Sequence, residues 1–128
     1  MAKDIVRSRD YDGATRRIPQ VQMGEMETAA IRKAIGAERQ TYSLLLRLVE
    51  EDYGPEGDVC ILPSQLMAFK EELDRFRDMV TKKAPSGPIY AFGKANLSVE
   101  DLLDLVDRVS TLAGEAAESR ESLFAFAD

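Results

Sequence analysis

Carboxylates are the only reactive side chains that this sequence supplies in groups. One group is Glu50-Glu51-Asp52, followed by Glu56 and Asp58. A second runs through Glu100, Asp104, Asp107, Glu115 and Glu118, at spacings built from threes and fours that put like charges on one side of a helix. Neighbouring like charges of this kind destabilise a helix by roughly 0.2–0.5 kcal/mol per pair. The first group would close a helix, where acids oppose the negative end of the dipole. Where local rules are broken with no structural gain in view, function can supply the reason. Here that reason is a docking surface for a basic protein, steered by charge. The competing explanation is a solvated face that keeps the protein soluble. A further carboxylate, Glu38, falls between Ile35 and Tyr42 within an apolar stripe. It is either a buried acid with a raised pKa or a rim residue reaching water or an arginine.

Other chemistries are excluded by composition. The chain has no histidine, which removes Ser-His-Asp and Cys-His activation of a nucleophile and His-ligated zinc. One cysteine, Cys60, can build neither an internal disulfide nor a thiolate metal site. Its apolar neighbours and the lack of an adjacent base suggest a small buried hydrophobe in a reducing compartment. The glycines are dispersed and no phosphate-binding loop is spelled out. Asp52, Glu56 and Asp58 do not match a calcium loop, and Pro55 stiffens the segment. No metal, no cofactor and no enzymatic activity are expected. An enzyme would have to rest on carboxylates, Lys, Arg or Tyr, and its most concrete form would be a carboxylate enzyme with Glu38 at the floor of a cleft facing a second acid or Tyr42.

Net charge is −6 over 128 residues, and it is unevenly spread. Residues 1–22 hold five bases and three acids, for +2, so the remainder carries −6 − 2 = −8. An acidic body repels nucleic acid and anionic membrane and favours a basic partner. The longest apolar runs are far short of the roughly 20 residues that span a bilayer. The opening Met1-Ala2-Lys3-Asp4 has no signal-peptide character, so a cytoplasmic location is expected.

These side chains must be positioned by helices. Within Val59–Lys83, the run Val59-Cys60-Ile61-Leu62 meets Pro63 and Ser64, and Leu66, Phe69, Leu73, Phe76 and Val80 then share one helical face. Pro63 suits the first turn and Ser64 suits the cap. Gly24 to Tyr53 reads as an earlier long helix, capped by Gly24, with Gly36 marking a bend. Ser98 and Asp101 match the spacing of a capping box, and Leu97 and Leu102 match a hydrophobic staple. That last helix buries Val99, Leu102, Leu103, Val106, Val109, Leu112, Ala113, Ala116 and Ala117. Gly114 would permit a close helix crossing. Continued helix would keep Leu123 and Phe124 inward, either on the chain's own core or in a partner groove.

Residues 1–23 lack helical periodicity and predict an extended N-terminal arm, with Asp12-Gly13 as the turn of a short edge hairpin. Ile89–Phe92 would pair with Val59–Leu62 or plug a bundle end. The expectation is therefore mainly α: a small bundle of three long helices over residues 24–128 with one or two short strands, or else a small α+β fold. The expected function is a non-enzymatic acidic protein-binding module. Its specific form would be an immunity or antitoxin-like inhibitor of a basic, nucleic-acid-targeting protein. An assembly subunit, oligomerising through the Leu44/Leu48 flank and the apolar C-terminus, is the alternative.

Overall fold

In the computed structural model, which describes residues 2–51, 53, 54, 57–83, 90–92 and 95–127, an antiparallel sheet organises the chain. Its strands are Lys3–Ser8 (β1), Val21–Met23 (β2), Val59–Ile61 (β3) and Ser122–Ala127, in the spatial order β2, β1, Ser122–Ala127, β3. The two interior strands are thus the two ends of the described chain. The expected N-terminal arm contains an interior strand, and Asp12-Gly13 is no hairpin turn. Both residues lie in a short helix, Tyr11–Arg16 (α1), whose N-cap Asp10 accepts from the Gly13 N–H at 2.7 Å.

Register explains the burial. Ile5 lies opposite Val21 and Ala125, Val59 opposite Ala125, and Ile61 opposite Leu123. Side chains alternate across a strand, so these residues share one face of the sheet with Met23. All of them belong to the main core. Val6, Cys60 and Phe124 point to the other face, where Ala14 of α1 joins them in a smaller cluster. Tyr11 packs edge-on against Phe124 and Phe126 there, with ring centroids 6.2 and 5.9 Å apart. Cys60 is half-buried rather than enclosed.

The main face is covered by helices Glu25–Ile35 (α2), Ser43–Val49 (α3), Leu66–Lys82 (α4) and Val99–Glu118 (α5). The expected helix over Gly24–Tyr53 is two helices. Gly36 adopts φ +55°, a left-handed value that ends α2 and that a side chain would oppose. Its N-terminus behaves as expected: Gly24 is the cap, and the Glu27 carboxylate accepts from the Gly24 N–H.

Helix α4 buries Leu66, Phe69, Leu73, Phe76 and Val80, the stripe read from the sequence. Pro63 opens a 3-10 turn, Pro63–Gln65, ahead of it. Ser64 makes no cap; the Gln65 side chain instead accepts from the Leu62 N–H at 3.0 Å. Helix α5 starts at the predicted capping box, where the Ser98 hydroxyl accepts from the Asp101 N–H at 3.1 Å. Leu97 and Leu102 beside it are both buried. Gly114 faces Lys70 of α4, and Ala113 and Ala116 are fully buried, so α4 and α5 pack closely.

The last helix does not continue to the C-terminus. The Arg120 N–H donates to Ala117 O and the Glu121 N–H to Ala116 O, with Arg120 at φ +55°. This is the Schellman arrangement, with an arginine in the left-handed position that glycine usually fills. The chain reverses there into Ser122–Ala127, the strand numbered β6. Leu123, Phe124 and Ala125 dock on the chain's own core, as strand rather than helix. Two further strands, Tyr90–Phe92 (β4) and Ala95–Leu97 (β5), pair with each other. Neither pairs with β3, and Ile89 lies outside the described residues. The bundle of three long helices is therefore replaced by helices layered on an antiparallel sheet. Long-range strand pairing between the chain ends decides this, and no local pattern encodes it.

Candidate functional site

The outward side of α5 carries the predicted ridge. Leu102, Leu105, Val106, Val109, Leu112, Ala113 and Ala116 face the core, so the residues between them are forced outward. Glu100, Asp104, Asp107, Glu115 and Glu118 are all exposed. They run about 27 Å along the helix at 1.5 Å per residue. The chain's own arginines meet three of them. Asp104 pairs with Arg108 one turn on, at 3.2 Å. Asp107 accepts from Arg77 of α4 at 2.9 and 3.4 Å. Glu115 lies 3.9 Å from Arg7 of β1. Glu100 and Glu118, at the two ends, have no ion-pair partner among the described residues.

The other acidic group is more fully engaged. Glu50, the C-cap of α3, pairs with Arg39 at 3.2 Å, and Glu51 pairs with Arg32 at 3.5 Å. Arg32 also donates to the Val49 carbonyl, so a cation already offsets the negative end of α3. That supplies a structural reason for acids at this helix end. Asp58 accepts from the Tyr11 hydroxyl at 2.8 Å, and that bond, with the carboxylate's charge, raises the Tyr11 pKa. Asp52 and Glu56 lie outside the described residues. The two acidic groups sit on separate elements and do not form one site.

The ionisable groups that are buried are different ones. Glu38 is exposed, past the end of α2. Among the described residues the buried acids are Glu72 and Glu121. Glu72 reaches from α4 to the start of α3 and accepts from the N–H groups of Leu44 and Leu45, each at 3.0 Å. Those donors have no partner inside their own helix, so Glu72 supplies the cap that Tyr42 lacks. Glu121 is clasped by Arg7 at 2.5 Å and by Arg17 at 3.5 Å. Within this cluster Arg7 Nε is buried without a hydrogen-bond partner among the described residues.

Lys3 is fully buried, on the same side of β1 as Ile5. Its ammonium sits 3.9 Å from the centre of the Tyr53 ring and donates to the Glu51 carbonyl at 3.4 Å. The ring quadrupole and carbonyl offset part of the cost of burying that charge. Tyr53 in turn donates to the Leu48 carbonyl at 2.6 Å, and burial holds its phenol pKa well above the ordinary value.

Sequence reasoning missed these groups for identifiable reasons. Glu72 stands beside Phe69, Leu73 and Phe76, so its helical position was a usable signal. Lys3 and Arg7 lie two residues to either side of Ile5, on its face of β1, a signal only once the segment is known to be a strand. Glu121 has no local signature. Among the described residues no cluster of acids has the grouping to hold a metal ion, and no helix is long and apolar enough to cross a membrane. Family models, curated proteins and solved structures all fail to match this chain.

Proposed function

We propose that the chain is an acidic protein-binding module that acts without catalysis, and that the outward side of α5 meets a basic partner. One observation carries this. Glu100 and Glu118 stand exposed at the ends of a helix whose opposite side is locked into the core, with no ion pair among the described residues. A ridge held on a rigid helix needs little reorganisation to bind, and long-range charge speeds encounter with a cationic surface. The internal pairs at Asp104 and Asp107 are exposed, and exchanging such partners costs little; Glu115 is itself exposed, 3.9 Å from the half-buried Arg7. A basic nucleic-acid-targeting protein, held inactive by an immunity or antitoxin-like inhibitor, is the specific partner class we favour.

The alternatives draw less support. Leu48, Leu123, Phe124 and Ala125 are buried in the chain's own core and Leu44 is half-buried against it, which leaves less apolar surface for the seam expected of an assembly subunit. Exposure of Glu38 removes the motive for a carboxylate enzyme. The test is affinity capture from the source cell with wild-type protein and with Glu100→Lys/Glu118→Lys. We expect one basic protein to be retained at low salt, released as the Debye length shrinks, and lost to the variant. Retention that ignores both salt and charge reversal overturns the proposal.

A further inference from the structure

We propose that the cleft between α2, α4 and the first turn of α5 binds a small amphiphilic carboxylate, with its tail in the cleft and its head between Lys33 and Lys83. The cleft has a volume of about 270 Å³ and is lined, among the described residues, by Ala30, Ala34, Met79, Val80, Leu102 and the two lysines. Its floor is core: Ala30, Val80 and Leu102 are all buried. The volume falls just under the roughly 300 Å³ at which ordinary ligand pockets begin, which selects a short chain over a drug-sized molecule.

Charge decides the class of ligand. Among the described residues, Lys33 and Lys83 are the only charged ones lining the cleft, and neither has an ion pair there. Arg32 and Lys82, immediately beside these two in sequence, each pair with a carboxylate, whereas Lys33 and Lys83 do not. Both lysines are exposed overall while lining the cleft. Such a side chain lays its methylene stem along an apolar wall and keeps its ammonium in water at the rim. Each lysine also offsets the negative end of its own helix, which accounts for a base at that position but not for two bases flanking one apolar cleft. A tail that buries methylenes and a head that takes charge-assisted hydrogen bonds satisfy both features. This site is separate from the α5 ridge and does not depend on the partner proposed for it.

Decanoate, well below its micelle-forming concentration, is the probe, followed by calorimetry and by heteronuclear NMR of the intact chain. Saturable binding is expected, with shifts centred on Ala30, Ala34, Met79 and Leu102. Lys33→Gln/Lys83→Gln should weaken it about tenfold, and decanol should bind wild type about tenfold more weakly than decanoate. Ala34→Trp fills the mouth from an exposed position and should abolish binding with both lysines intact. Absence of saturation, shifts centred on the opposite sheet face, or equal affinity in the double-lysine variant each overturn the proposal. Equal binding of decanol and decanoate leaves an apolar cleft with no anion site and overturns it as well.

Discussion

The two places where this chain concentrates charge are built in opposite ways. Around the sheet, Lys3, Glu72 and Glu121 are buried, with Arg7 half-buried beside Glu121, and they meet defined partners: a tyrosine ring, carbonyls, helix N–H groups and one another. Along α5 the carboxylates stand in water and their partners are exposed arginines, the half-buried Arg7, or absent among the described residues. Removing one member of a buried set leaves the other uncompensated, so the first kind governs stability. Removing an exposed carboxylate leaves nothing stranded, so the second kind is free to serve recognition. An abundance of acids in the sequence therefore divides into ties and handles, and burial tells them apart.

That division is breakable by substitution, and the largest effect belongs to the clasp. Glu121→Ala removes the buried carboxylate that holds the half-buried Arg7 and is expected to cost about 3 kcal/mol, read from urea unfolding. A loss under about 1 kcal/mol places Glu121 with the exposed carboxylates. Glu72→Ala removes the acceptor for two N–H groups at the start of α3 and should cost about 2 kcal/mol by the same measurement. Hydrogen exchange at Leu44 and Leu45 should quicken in that variant.

Tyr53→Phe deletes one buried hydrogen bond and should cost about 1 kcal/mol at neutral pH. It also carries a pH signature. The folded phenol pKa is raised above the unfolded value near 10.0 by burial, so the unfolded chain loses its proton first as pH rises. Its contribution is complete below pH 10 and is lost above it. The variant should lose stability less steeply than wild type in alkaline denaturation.

Arg120→Gly relieves a left-handed position of its side chain and should stabilise the fold by about 1 kcal/mol, seen as a raised thermal midpoint. At the far end of the scale, Glu100→Lys/Glu118→Lys should leave the unfolding midpoint within error of wild type and change partner retention alone. A large loss of stability from that pair would erase the contrast between the two regions.

The helical half of the molecule was legible because its signals are local. The Phe69–Val80 stripe, the Ser98/Asp101 cap and the apolar side of α5 each depend on residues three or four apart. The exposed ridge followed from the same periodicity, since a helix that buries one side must show the other. The strands were not legible. β1 and β6 lie more than a hundred residues apart and specify each other only by pairing. The signal that α5 ends is an arginine in a glycine's place.

By itself, then, the sequence determined charge, absent chemistry and helix faces, because these are properties of composition and short-range geometry. Tertiary structure alone decided which acids are buried. Burial is set by what comes to lie across from a residue, and here the partners arrive from distant parts of the chain: Arg7 to Glu121, Glu72 to Leu44, Lys3 to Tyr53.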